Sequence, residues 1–292
     1  SILSIIKSYK LIPIINLFVF LFSSCISIKK NSNDDYIIKN SWSGEAFLFS
    51  DVSDQLLKQK YINRGWTKIN KNKSVPYFKL KKREGIILGN YFSKQKEYLV
   101  IQLNNHKIYK WEKPFWQIKN NSLPDHLCLI KDLEEAKKLK GKYIYLNSIA
   151  DDTAFIKVPG MVYNKFKKVK IIGTRVYQNG GRDWPIWLMI ESKNDFIPMV
   201  RYNGNKKTVG KQNYYFINQP IPKVWGEDKI SKIILGELSL GMSSEQVRIA
   251  IGNPDVINNT SSRHSVSEQW IYGNVVGKKK YLSFEYDKLI SM

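Results

Sequence analysis

Leu238-Ser239-Leu240-Gly241-Met242-Ser243-Ser244-Glu245-Gln246-Val247, then Gly252-Asn253-Pro254, then Gln269-Trp270-Ile271-Tyr272-Gly273, order the last quarter of this 292-residue chain. Ser243 is placed to cap a helix over 244–251, with Gln246 as the other half of a capping box. Val247, Ala250 and Ile251 fall three or four residues apart and form its buried stripe. Met242 sits just before the cap, where it can staple onto the first turn. Gly252 permits the left-handed turn that ends a helix, and Pro254 forbids its continuation. Trp270 and Tyr272 alternate on one strand, and Leu282, Phe284 and Tyr286 on another, so each set shares a face. Gly273 to Lys280 is a basic loop between them, and Asp287-Lys288 fits a turn before Leu289. Each of these devices shapes the chain without any ligand.

Working upstream, two further units precede this one. The first spans 46–128. Ser53-Asp54 open a helix whose Leu56, Leu57, Tyr61 and Ile62 share a face, with Gly65 as its stop. Strand-like runs follow at 77–80, 85–88, 97–103 and 107–111, with Asn104-Asn105 as a tight hairpin turn. Asp132 and Glu135 predict a capped linker helix within 129–140, its face made by Leu133, Ala136 and Leu139 and its end by Gly141. The second unit, 141–228, carries strand-like runs at 142–146, 168–172, 186–190, 196–200 and 214–217. The run 81–87 followed by the pair 97–111 parallels 167–172 followed by 186–202, as tandem small β-barrels of four or five strands each would produce.

The opposite end reads as an export signal. Lys7 and Lys10 precede an apolar run from Leu11 to Phe22, too short for a membrane span and suited to a signal peptide over 1–24. Phe22-Ser23-Ser24-Cys25 resembles a lipobox, with Phe22 where the usual pattern has Leu; Cys25 would then carry the lipid anchor. Residues 25–45 are polar and aperiodic, a tether between membrane and first domain. Only two cysteines occur, so acylation of Cys25 leaves Cys128 without a disulfide partner, between Leu127 and Leu129 as a buried apolar thiol. The net charge of +22 comes from lysines dispersed along the chain, with no compact arginine-rich stripe, and nucleic acid is not an expected partner.

The ordered set Gly241, Met242, Val247, Gly252, Pro254, Trp270 and Tyr272 resembles the envelope module of the BamE (SmpA/OmlA) lipoprotein family. The resemblance covers 238–292 and implies a helical pair packed on a three-stranded antiparallel sheet. Family members that assist outer-membrane protein insertion are short lipoproteins, whereas a long body precedes the module here, so what is implied is an adaptor. The expected fold class is α+β, mostly β: one or two small antiparallel β domains, then a BamE-like module over 229–292.

Catalytic patterns are missing from the sequence. Gly-x-Ser-x-Gly, His-Glu-x-x-His and phosphate-loop signatures do not occur. Asp125-His126-Leu127-Cys128 lacks the second pair that a zinc site needs, so no metal and no cofactor are expected. His106 and His264 lie in turn and loop sequence, and Asp151-Asp152 suits a turn or cap better than a carboxylate pair. The expected function is non-catalytic: an outer-membrane lipoprotein facing the periplasm, anchored through its lipid and engaging an envelope protein as scaffold or adaptor. The alternative is binding of cell-wall glycan by exposed aromatics, for which Trp116 and Trp184 are the candidates.

Overall fold

Alternation of buried and exposed positions along Glu84–Ser93 makes this ten-residue run a half-buried antiparallel strand, and the first sheet is built around it. The computed structural model describes residues 37–71, 73–147, 154–157, 163–180, 185–193, 195–202, 213–261, 266–273 and 277–292. Residues 1–24, read above as an export signal, and Cys25, Asp151, Asp152, Trp184 and His264 lie outside the described residues. The fold is α+β and mostly β, with antiparallel curled sheets and a few helices.

The first eight strands are β1 (Ile37–Ile38), β2 (Ala46–Phe49), β3 (Asp51–Val52), β4 (Trp66–Lys68), β5 (Glu84–Ser93), β6 (Lys96–Leu103), β7 (Ile108–Glu112) and β8 (Leu127–Leu129). All but β3 share one sheet, in the order β4-β7-β6-β5-β2-β8 with β1 beside the far end of β5. Lys94 and Gln95, at φ 48° and 63°, make the two-residue turn into β6. Asn104-Asn105 turn the chain into β7, with His106 at φ 63° closing the loop.

A second set comprises β9 (Tyr143–Leu146), β10 (Phe155–Ile156), β11 (Lys168–Gln178), β12 (Ile186–Ile190), β13 (Met199–Arg201) and β14 (Tyr215–Phe216). Its order is β10-β13-β12-β11-β9-β14, and β3 lies beside the far end of β11. Ranked along the chain, the strands of both paths run second, fifth, fourth, third, first, sixth. The central strand of each is bulged at the same step, Ile87 to Gly89 in β5 and Ile171 to Gly173 in β11. Two sheets with one topology and a shared Ile-x-Gly bulge are a structural repeat, with six strands on each path rather than four or five. The flanking strand differs: β1 runs antiparallel to β5, whereas β3 runs parallel to β11.

In β5 the bulge needs glycine, whereas Gly173 in β11 would set a Cβ 3.5 Å from Met189 Sδ, an ordinary contact. The φ of Gly89 is +147°, and a Cβ there would stand 2.2 Å from the Ile38 carbonyl oxygen on β1. Gly89→Ala is expected to detach β1 and to cost at least the about 1–3 kcal/mol of a strained backbone position. Hydrogen exchange should show loss of protection at Ile38 and Tyr91, and retained protection there would refute the account.

Residues 37–45 belong to this first sheet rather than to the tether. Asn40 Nδ2 donates to Asn90 Oδ1 at 2.7 Å and Ser43 Oγ to the Leu88 carbonyl at 3.0 Å. The helix expected over 54–62 is two single turns, α1 (Asp54–Leu57) and α2 (Lys60–Asn63), because Gln59 is extended. In one continuous helix Leu56 and Ile62 would point to different sides; the break lets both reach the core. The strand expected at 77–80 is instead a 3-10 turn over Tyr77–Lys79 after Pro76, held by the buried Tyr77 hydroxyl donating to the Ser50 carbonyl at 3.0 Å. Next come α3 (Phe115–Asn120) and α4 (Ile130–Lys137). Since β8 runs directly into α4, the helix starts at Ile130 and Asp132 lies in its first turn, favourable to the helix dipole, instead of capping it.

Strands β2 and β8 form a wall between two cores. Phe47, Phe49 and Leu127 enter the first, with Trp66, Ile87, Leu99 and Trp111. Their neighbours Leu48 and Cys128 face the second, with Leu133 and Ala136 of α4 and Ile171, Leu188 and Val200. Burial pushes the Cys128 thiol up to about 12 from an ordinary value of 9.0. From about pH 9 the unfolded thiol ionises while the folded thiol stays protonated, so stability falls by about 1.4 kcal/mol per pH unit. Buried Tyr77 and half-buried Tyr272, both shifted upward, add to this fall at higher pH. Urea unfolding between pH 8 and 10 should show a shallower decline for Cys128→Ala than for the parent; equal slopes would contradict it.

Candidate functional site

The C-terminal part consists of α5 (Glu227–Leu235), α6 (Ser244–Ile251) and a sheet in the order β15 (Val256–Ser261), β16 (Val266–Tyr272), β17 (Lys280–Glu285), β18 (Lys288–Ser291). The sheet has four strands rather than the three that the resemblance implies. Tyr286 and Asp287, at φ 45° and 61°, form a two-residue turn that lets 288–291 pair back. Tyr286 is therefore exposed in a turn and not on the face of Leu282 and Phe284, as its spacing predicted.

The sequence signature works as a set of folding devices. Ser243 Oγ accepts from Gln246 N at 3.2 Å and Gln246 Oε1 accepts from Ser243 N at 2.8 Å, completing the capping box. Gly241, at φ +80°, donates its N–H to the Leu289 carbonyl, and Leu289 N–H returns a bond to Met242 O, each at 2.8 Å. Met242 and Val247 are fully buried; beside them Ile249 and Ala250 fill the stripe, with Ile251 only half-buried. Gly252 ends the helix at φ 92°, ψ −173°, an extended glycine conformation and not the left-handed helical one. Its carbonyl accepts from the Tyr272 hydroxyl at 3.0 Å, and Pro254 is buried behind it. Trp270 packs 4.4 Å from Phe284, lies under the Arg248 guanidinium at 4.3 Å, and donates to Glu268 Oε2 at 2.7 Å. Arg248 in turn donates to the buried Asn253 Oδ1 at 2.8 Å, and burial pushes its pKa down.

Sequence spacing gave no hint of Lys165. Its Nζ, half-buried, donates to the Ala250 carbonyl at 2.6 Å and the Ile233 carbonyl at 3.3 Å. One lysine from the second unit thus satisfies carbonyls at the C-terminal ends of both helices, where the dipole favours a cation. Phe166 and Phe216 pack beside it against the Trp270 core.

With Ile257, Trp270, Leu282, Phe284 and Leu289 turned inward, register fixes what the other face presents. Val256, Ile271 and Tyr281 lie directly opposite one another across β15, β16 and β17. Val256 is 44% exposed and Tyr281 48%. The next row is polar: Asn258, Gln269, Ser283 and Ser291. Beyond the apolar end, Lys278 and Lys279 are exposed, and neither has a carboxylate partner among the described residues; Lys280, opposite Tyr272, lies on the side of Leu282 and Phe284. An apolar row beside two uncompensated cations is a surface that complements an apolar strip with an acidic rim.

Elsewhere the expected site residues separate. Trp116 is half-buried on α3, where the outward aromatic is its neighbour Phe115, 79% exposed. His126 is a core residue: fully buried, it accepts from Trp66 Nε1 at 2.9 Å and lies among Phe49, Tyr77 and Trp111. That bond leaves the proton on Nδ1, 3.4 Å from Asp125 Oδ1. Among the described residues, no three His, Cys, Asp or Glu side chains gather as a metal ion would require, and no helix is long and apolar enough to cross a membrane. Compared with known proteins, the chain matches no family model, no curated protein and no solved structure.

Proposed function

We propose that the chain is a non-catalytic outer-membrane lipoprotein, anchored by acylated Cys25 and facing the periplasm, that acts as a scaffold or adaptor in envelope assembly. The partner surface is the outward face of the terminal sheet, and the partner is a protein presenting an apolar strip with an acidic rim. The observation that carries this reading is the row Val256, Ile271, Tyr281 beside Lys278 and Lys279, which have no carboxylate partner among the described residues. Four strands, a boxed helix and Lys165 hold that face rigid, which limits the ordering cost of binding. Several acyl chains on one cysteine supply stable anchoring where a single chain is marginal.

In-cell cross-linking of the full chain tests the reading. Val256→Glu with Tyr281→Glu alters exposed positions only, so thermal unfolding should not change while the cross-linked partner is lost. Capture should also weaken as salt rises, since the lysines are exposed. Partners unchanged in the double variant would move the function to the two upstream sheets. Labelling with radioactive palmitate, lost in Cys25→Ser, tests the anchor separately.

A further inference from the structure

A cleft of about 190 Å³ lies where the second sheet meets α6. One wall comes from the ends of β9 and β14: Asn147, Asn213, Asn218 and Gln219. The other is the face of α6 with Glu245 and Arg248, and Trp225 and Phe216 line it as well. The walls are braced: Asn147 Nδ2 donates to the Asn213 carbonyl at 2.7 Å, and Arg248 is fixed to Asn253 at 2.8 Å. The groups left over are the informative ones. The side chains of Asn213, Asn218, Gln219 and Glu245, and the Trp225 indole N–H, have no hydrogen-bond partner among the described residues.

We infer that this cleft binds one ring of a neutral saccharide, a hexopyranose or N-acetylhexosamine unit. Three carboxamides offer donors and acceptors side by side, which matches hydroxyl groups that both donate and accept. Glu245 and Arg248 stand one helical turn apart and cancel, so a charged ligand is attracted by one and repelled by the other. Trp225 and Phe216 supply the aromatic surface on which the C–H face of a sugar ring packs. The volume is below the roughly 300–1,000 Å³ of clefts that enclose drug-sized ligands, which fits a single ring with its chain continuing into solvent. This site is distinct from Trp116, and from the sheet face proposed above, and depends on neither.

The test is calorimetric titration of the full chain, in a detergent without a sugar headgroup, with N-acetylglucosamine oligomers, cellotetraose and a wall stem tetrapeptide. Saturable binding of a saccharide is expected. Asn218→Ala with Gln219→Ala should weaken it at least tenfold, and both residues are exposed and unbonded, so the variant keeps its fold. Trp225→Phe should retain binding that Trp225→Ala loses. No saturation by any sugar, affinity unchanged in the Asn218/Gln219 variant, or saturation by the peptide alone would each overturn the assignment.

Discussion

Replacing Lys113 by Met is expected to lower the free energy of unfolding by about 3–5 kcal/mol, one of the largest single-residue effects in the protein. The Lys113 side chain is 1% exposed, and its Nζ lies 2.6 Å from Glu97 Oε1. The same oxygen accepts from Asn90 Nδ2 at 2.9 Å, and Asn90 accepts from Asn40, so the pair anchors both β1 and the start of α3. Removing the ammonium leaves a carboxylate 14% exposed with only an amide donor. The cost comes mainly from that stranded charge, not from the attraction lost. Lys113→Met with Glu97→Leu should therefore recover most of the stability. Urea denaturation of the single and double variants decides the matter. If the double variant is as unstable as the single, packing and not charge is what Lys113 contributes.

That pair also marks where sequence reading stops. Lysine is almost never fully buried, and nothing in Trp111-Glu112-Lys113-Pro114 announces an exception. Features that depend on neighbours along the chain were legible: the Ser243–Gln246 box, the Asn104-Asn105 turn, and the strands at 97–103 and 186–190. The bulge step was not legible, because the parallel runs match Ile86-Ile87 with Ile171-Ile172 whereas register sets Ile87 at the place of Ile171. The two-residue strands β1 and β3 were not legible, since a pair of residues has no periodicity and their partners lie far along the chain. Local pattern misled at 77–80, where a tertiary bond from Tyr77 to Ser50 outweighs strand propensity. The candidate surface was hidden for a similar reason. Val256, Ile271 and Tyr281 are well separated in sequence, and only register sets them in one row. The basic loop Gly273 to Lys280 was legible, and register adds that its Lys278 and Lys279 stand at the end of that row.

Trp270→Ala should cost about 3–5 kcal/mol, the range for emptying a large aromatic site in a core. Trp270 is 1% exposed, and its ring fills the space between Phe284 and the Arg248 guanidinium. Its loss also strands Glu268 Oε2, which accepts the indole proton, and frees Arg248 from the stack that holds it against Asn253. Trp270→Phe keeps the ring and should cost less, but leaves the half-buried Glu268 carboxylate without its donor. The functional consequence separates support from contact. Trp270 faces inward, so its loss should abolish partner capture only by loosening the sheet, together with lost near-ultraviolet circular dichroism and a lowered unfolding midpoint. Val256→Glu with Tyr281→Glu should abolish capture with both signals intact. If Trp270→Ala destabilises the sheet as expected and yet captures its partner normally, the terminal module is not the adaptor, and the proposed surface falls with it.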